Sequence, residues 1–531
     1  MNFDTVIVGG GSAGCVLAGR LSEDPHRSIC LIEAGPDDRD PRIRIPLGVM
    51  TLMGNRKYDW CYRSAPHVHL GGRIVSVPRG KTLGGSGSIN SMVYIRGRAS
   101  DYDAWAKAGC SGWEWASVLP WFIRAENNLQ LGEEVLHGSE GPLHVADLPS
   151  PHPMVSRFVA AARAVGIPAN RDFNGETQEG VGAYQTTMRN GHRCSPADAY
   201  LRPALPRENL TVLTNCLVDR IDFRGRRAHS VIAHRGSERI EIGVSDQLVL
   251  SAGAVSSPAI LMRSGVGPAK HLGALGIDVV LPLDGVGTNL HDHPAVGMHY
   301  GGGDDGYALS LATLPDNVLA PMRYLLGKKG LFASNTVEGG GFARTDPKLA
   351  EPDVQFHFIP ARLGHEGRML VWGRGYYSDV CLLKPRSRGE LRLASRDPRA
   401  EPIIDLNLLD DEADRRTMLA GAKLLRAILA RPELKSGNAR ELVPGPGVAS
   451  DEELWDLIAS RLGTAYHPVG TCRMGNADDP RCVVDPSLRV IGLENVRVAD
   501  ASVMPEIVAG NTNAPSMIIG EVAADRMKRG A

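Results

Sequence analysis

The stretch Asp4-Thr5-Val6-Ile7-Val8-Gly9-Gly10-Gly11-Ser12-Ala13-Gly14, continuing through Cys15 to Leu21, decides the fold. Asp4 to Val8 reads as a short buried strand, the glycines follow in Gly-x-Gly-x-x-Gly order, and Cys15 to Leu21 carries apolar residues at helical spacing. Gly9 permits the tight turn, Gly11 lets a pyrophosphate approach the backbone, and Gly14 lets the helix pack close to the sheet. Phosphates then meet the helix N-terminus, where unpaired N–H groups and the dipole favour anions. A second strand, Ser28 to Ile32, ends in Glu33. That carboxylate stands roughly 20 residues beyond the glycines, where this fold places an acceptor for ribose hydroxyls. Glycine turns are common, but the whole strand-turn-helix-strand unit with its terminal acid predicts a dinucleotide site, for NAD or FAD.

Three further segments have the composition of places where backbone approaches a large ligand. Gly80-Lys81-Thr82-Leu83-Gly84-Gly85-Ser86-Gly87-Ser88-Ile89-Asn90 precedes the apolar Met92-Val93-Tyr94-Ile95. Its small residues suit N–H groups that cradle a phosphate or a ring edge, although alone the run suits a flexible surface loop equally. Gly253-Ala254-Val255-Ser256-Ser257-Pro258 directly follows the apolar Leu248-Val249-Leu250, so a strand ends in small residues. The C-terminal block is Tyr466-His467-Pro468-Val469-Gly470-Thr471-Cys472-Arg473-Met474-Gly475, a strand Val496 to Val498 with Asp500, then Gly510-Asn511-Thr512-Asn513-Ala514-Pro515. Pro515 predicts a helix opening at Ser516, its positive end turned toward the preceding loop.

The chain's 531 residues exceed what one core usually supports and predict two closely packed domains. With 43% hydrophobic and 22% charged residues it is an ordinary globular composition. A formal charge of -1 without a basic tract excludes sequence-independent nucleic-acid binding. Nine cysteines without a CxxC pair predict neither a disulfide framework nor a metal site. The first apolar run meets glycine at once, leaving no room for an export leader. No uninterrupted apolar run of about 18 residues is present, so no spanning helix is expected, which leaves peripheral membrane attachment open and the cytoplasm as the expected location.

Taken together, in order and spacing, the four segments resemble the glucose-methanol-choline (GMC) oxidoreductase family over nearly the whole chain, and within it the bacterial alcohol and choline dehydrogenase subgroup. The resemblance implies an α/β FAD-binding Rossmann-like domain with a second α+β substrate domain built on an antiparallel sheet. It divides the chain into a discontinuous FAD-binding part, 1–150, 195–295 and 460–531, and a substrate-binding part, 151–194 and 296–459. It places the cofactor against Gly9, Gly11, Ser12, Ala13, Gly14, Glu33, Ala34, Gly84, Ser86, Asn90, Met92, Val93, Val218, Ala252, Gly253, Asp500, Ala501, Asn511 and Thr512. Asp500 suits an Asx turn nearly as well, and Val218 suits the core.

The resemblance further implies that His467 takes the alcohol's hydroxyl proton while hydride leaves for flavin N5, and that Asn511 holds the substrate oxygen. Imidazole, with an ordinary pKa near ~6.5, is a neutral base at working pH, and an amide donates to the oxygen without competing for the proton. Pro468 restricts His467 toward extended backbone. Relatives that tether FAD do so through a histidine where this chain has Ile89, so FAD is expected to be dissociable. The implied reaction is oxidation of a primary alcohol to the aldehyde, with electrons passed to a quinone or another non-NAD acceptor. Choline oxidation, an oxygen-using oxidase and a non-redox hydroxynitrile lyase are the alternatives. Glu338 is a candidate partner for a cationic substrate, with a solvated or salt-bridged structural role preferred. Alternation in Asp353-Val354-Gln355-Phe356-His357-Phe358 predicts a strand of the sheet roofing the flavin. The oligomeric state has no signature here.

Overall fold

The computed structural model describes residues 1–364 and 371–530. The opening strand, Asn2–Val8, lies at the centre of a parallel sheet, with Ile29–Ile32 on one side and Glu238–Leu250 on the other. Leu210–Leu213 extends the sheet past Ile29–Ile32. Glu238–Leu250 is long enough to serve two more neighbours along its other edge. Its last residues, Leu248 to Leu250, pair in parallel with Val496–Val498, while its first half turns antiparallel against Arg227–Arg235 and, beyond that, Leu217–Arg224. Val6, Ile7, Leu31, Val249 and Val498 have no more than trace exposure, as expected for strands covered on both faces.

The helix Ser12–Leu21 covers one face, and the C-terminal helix Asn513–Lys528 packs across it. Contact is close because Gly520 lacks a side chain: a Cβ there would sit 2.8 Å from the Ala13 carbonyl oxygen. Arg20 locks the pair by bonding Glu521 at 2.8 Å. The last helix starts at Asn513 rather than at Ser516, so Pro515 occupies its third position. Proline is tolerated there because the first four N–H groups of a helix have no intrahelical acceptor.

The second sheet is antiparallel throughout, in the order Arg440–Val443, Pro294–Gly301, Gly375–Leu382, Val354–Ile359, Gly339–Ala343, Gly180–Ala183. Gly463–Thr464 adds to it beside Pro294 and Ala295. The boundaries expected near 295 and 460 therefore fall within or just before strands of this sheet. Helices Glu412–Leu429 and Pro153–Ala164 cover one face, where Phe158 stacks on Phe358 at 4.7 Å and a Cβ at Gly421 would touch Val354 at 3.0 Å. Val354, Phe356 and Phe358 point into that core. Gln355, His357 and Ile359 point the other way, yet they are buried too. The polar side of the strand faces an internal cavity, not solvent. Among the described residues no helix is long and apolar enough to cross a membrane.

Candidate active site

The four glycine-rich or C-terminal segments converge on one cavity at the carboxyl ends of the parallel strands, where open α/β sheets receive ligands. Gly9 follows Val8 with φ +102, and a Cβ there would lie 2.5 Å from the Ser251 carbonyl oxygen. A Cβ on Gly14 would lie 1.9 Å from the Gly9 oxygen, so glycine at 14 lets the helix sit against the turn, as glycine at 9 lets the turn sit against Ser251. Three helix starts border the cavity: Ser12–Leu21, Gly253–Arg263 and Asn513–Lys528. None has a side-chain N-cap or an acidic residue in its own first turn; the starts at Ser12 and Asn513 keep donor groups and positive dipole ends for an anionic ligand, while the Gly253 N–H is taken by Asp500. Ser12 Oγ donates to Asn513 Oδ1 at 2.8 Å and fixes two of these ends together.

The glycine-serine loop is part of this cradle. The Gly84 N–H donates to the Gly10 oxygen at 2.7 Å, and a Cβ on Gly85 (φ +53) would lie 2.7 Å from the Gly11 Cα. Ser86, Asn90, Met92 and Val93 then line the cavity. Asn90 Oδ1 accepts from the Met92 N–H at 3.0 Å and from Arg193 Nη1 at 2.8 Å, which supports the left-handed backbone at Met92 (φ +59). Gly14 and Gly84 shape the wall from behind it. The other expected residues, Gly9, Gly11, Ser12, Ala13, Glu33, Ala34, Val218, Ala252, Gly253, Asp500, Ala501, Asn511 and Thr512, are part of the lining.

Two acids brace this wall. Glu33 accepts from the N–H of Gly10 at 2.9 Å and of Gly35 at 2.8 Å, and burial pushes its carboxyl up to about 7 against those bonds. Asp500 accepts from the Gly253 N–H at 2.8 Å, Ser257 Oγ at 2.6 Å and the Ser502 N–H at 2.8 Å, so it ties the C-terminal strand to the Gly253 helix. Burial raises its pKa as well. Ile89 packs with Ile43, Leu52 and Tyr58 in an apolar cluster at the cavity edge.

His467 stands between the cradle and the underside of the second sheet, after Tyr466 in left-handed backbone (φ +66). Its N–H and that of His293 both reach Asp292 Oδ1, each at 2.7 Å. The two imidazoles meet at 3.0 Å through their Nδ1 atoms. His293 Nε2 lies 3.1 Å from the Val508 carbonyl oxygen, which only accepts, so His293 carries its proton on Nε2 and offers Nδ1 as an acceptor. His467 therefore carries its proton on Nδ1, and its Nε2 lone pair faces Asn511, whose Nδ2 is 3.2 Å away. Asn511 Oδ1 is held in turn by Gln355 Nε2 at 3.2 Å, and Gln355 Nε2 also donates to the Tyr184 hydroxyl at 3.2 Å. Tyr184 donates onward to the Phe356 carbonyl at 2.6 Å. The chain of bonds ends on a backbone acceptor at each side and permits one proton arrangement.

Burial holds the His467 imidazole well below the ordinary histidine range, with His293, His357 and Arg79 adding to the effect. Burial takes His293 down to about 3. Both rings are thus neutral at physiological pH. His357 also faces the cavity, with Nδ1 bonded to Asp379 at 2.8 Å and a buried Nε2 that no group among the described residues engages. His293, Gln355, His357 and Asp379 were not singled out from the sequence. The signals for the first three are the His291-Asp292-His293 cluster and the polar positions of the alternating strand; Asp379, on Gly375–Leu382, carries none. Glu338 lies outside the lining: its Oε1 accepts from Ser334 Oγ at 2.6 Å and its Oε2 from the His152 N–H at 2.5 Å.

The GMC oxidoreductase family profile matches residues 3–295 with its N-terminal part and residues 385–520 with its C-terminal part. An alcohol dehydrogenase [acceptor] of Pseudomonas putida is 44% identical over 530 residues, spanning 99% of this chain and 96% of the relative. An oxygen-dependent choline dehydrogenase of Rhizobium etli is 40% identical over 537 residues, with the same coverage. The crystal structure of pyridoxine 4-oxidase from Mesorbium loti superposes with a TM-score of 0.89 at 34% identity, covering 99% of each chain. The chain belongs to the GMC oxidoreductase family.

Proposed function

We propose that the chain is an FAD-dependent alcohol dehydrogenase that oxidises a primary alcohol to the aldehyde and passes the electrons to a quinone or another non-nicotinamide acceptor. The observation that carries this reading is the fixed, unprotonated Nε2 of His467 beside the Asn511 amide, in the same cavity as the glycine cradle. The cradle suits FAD: backbone passes where a Cβ would collide, and helix starts free of acids meet a two-phosphate ligand. Bound FAD supplies the hydride acceptor at flavin N5. His467 Nε2 removes the hydroxyl proton, and His293 Nδ1 accepts from the Nδ1–H of the resulting imidazolium. Asn511 Nδ2 donates to the substrate oxygen as negative charge builds there. Gly9, Gly11, Ser12, Ala13, Glu33 and the Gly84–Val93 loop hold the dinucleotide.

The name of the Pseudomonas putida relative supports an alcohol substrate and a separate electron acceptor, and the relatives named as oxygen-dependent choline dehydrogenases support the runner-up. The engagement of both Glu338 oxygens within the protein ranks an uncharged primary alcohol above choline. The division into FAD-binding residues 1–150, 195–295 and 460–531 and substrate-binding residues 151–194 and 296–459 belongs to this reading. So does a cytoplasmic location with attachment to the inner face of the membrane, which nine free cysteines suit.

Anaerobic addition of medium-chain primary alcohols to the flavin-loaded protein is expected to remove the visible absorbance of oxidised flavin. Faster bleaching by choline would reverse the substrate ranking, and no bleaching by any alcohol would favour the non-redox lyase. Air readmitted afterwards tests the acceptor, since rapid peroxide formation would mark an oxidase. FAD is proposed to bind without a covalent bond, because Ile89 offers no atom to form one. Acid precipitation is then expected to leave the yellow colour in the supernatant, and a yellow pellet over a clear supernatant would refute it.

A further inference from the structure

We propose that the helix Leu314–Gly327 and its flanks form a surface that docks into the headgroup region of an anionic lipid bilayer, beside the mouth of the active-site cavity. Of the eighteen large apolar side chains exposed among the described residues, eight fall between 309 and 326, so exposure is concentrated there. Leu311, Leu314, Val318, Leu325 and Leu326 are each more than half exposed, and Trp372 is 64% exposed. Trp372 adjoins this segment because it bridges to Leu309.

The usual amphipathic pattern is inverted. Ala320 and Tyr324 are the buried positions of the helix, Asn317 Nδ2 bonds the Ala308 carbonyl at 2.9 Å, and the Tyr324 hydroxyl reaches His192 Nδ1 at 2.8 Å. Leu314, Val318, Met322 and Leu325/Leu326 recur every three or four residues on the outer side. Soluble monomers rarely leave an apolar patch of this kind to water. A helix of 14 residues, about 21 Å long, with leucines on one side and basic residues at its end suits the interfacial plane of a bilayer.

Charge selects the occupant. The helix's own acid, Asp316, is paired with Arg323 at 3.0 Å. Lys328 and Lys329 close the helix, and Arg44 lies close to the same His192 as Lys328. Among the described residues no carboxylate pairs with Arg44, Lys328 or Lys329, while lipid phosphates would. A second copy of the chain docking by this face would bring like charges together instead.

The patch also borders the cavity. The turn Leu331–Ala333 packs against Pro46–Gly48, and the next residues, Val49, Met50 and Met53, line the cavity. On the other side Val371 bonds the carbonyl of Arg362, next to the cavity residue Leu363. The surface deepens the proposed membrane attachment and rests on that reading. It brings the cavity mouth to the phase that holds aliphatic alcohols and quinones.

The test is co-sedimentation of the flavin-loaded full chain with vesicles of phosphatidylcholine, with and without phosphatidylglycerol. The wild type is expected to pellet with the phosphatidylglycerol vesicles, and Leu325→Asp/Leu326→Asp to bind at least about tenfold more weakly. Flavin content and the rate with a water-soluble dye are expected to stay unchanged in that variant. Lys328→Glu/Lys329→Glu keeps the leucines and is expected to lose the preference for anionic vesicles. The proposal is overturned if the wild type stays in the supernatant, or if the aspartate variant binds as tightly. It is also overturned if ultracentrifugation shows a dimer that the aspartate variant splits while neither protein binds vesicles. Failure to oxidise any alcohol in solution would instead count against the proposed reaction.

Discussion

Replacing His467 by Ala is expected to lower kcat for alcohol oxidation by about 10³-fold, within the span that a positioned general base contributes, while the protein still purifies with its flavin. The flavin should survive because the cradle is built by other residues. The glycine turn, the Gly84–Gly10 bond and the helix starts at Ser12 and Asn513 make no bond to the imidazole. The rate should fall because Nε2 of His467 is the unprotonated nitrogen that the hydrogen-bond chain leaves facing the Asn511 amide. Measurement of anaerobic flavin reduction in rapid mixing separates the two effects. A variant that retains flavin and reduces it at the wild-type rate would remove His467 from its role.

The wild-type pH profile carries a linked expectation. Burial depresses the imidazole pKa, so the group is neutral, and competent as a base, at every pH above that depressed value. Activity is lost only as pH falls through it. The acid limb of kcat/KM should therefore lie below 6.5, the ordinary value for histidine, with a plateau above it. A limb centred at or above 6.5 would mean that the ring is more hydrated than its surroundings indicate.

The chemistry of this site was more legible in the sequence than its support. The opening strand, glycine turn and helix could be read because each step is local: an apolar run, fixed glycine offsets, then helical spacing. His467 and Asn511 emerged because they sit in short blocks of distinctive composition that resemble a family pattern. His293 did not, because its partner is 174 positions away and no spacing rule connects them. Gln355 and His357 escaped for a different reason. A period of two shows which residues share a face, but a polar face normally meets solvent, and here it meets a cavity closed by the other sheet. The early start of the last helix reflects the same limit of local rules, since proline is accepted anywhere in a first turn.

Replacing His293 by Leu is expected to lower kcat by about 10²-fold with KM and flavin content nearly unchanged, at the upper end of what an orienting partner contributes. Leucine cannot accept from His467 Nδ1–H and cannot donate to the Val508 carbonyl, so two buried polar groups lose their partners at once. His467 is then free to carry its proton on Nε2, where it blocks the lone pair that must receive the substrate's proton. His293→Gln keeps one acceptor and one donor on a side chain of similar reach, and is expected to recover most of the rate. Combining the two sites distinguishes orientation of the base from a general packing defect. In a His467→Ala background, His293→Leu should cost almost nothing further, because the residue acts through the ring that is already gone. Additive losses in the double variant would show that His293 supports the fold and not the base.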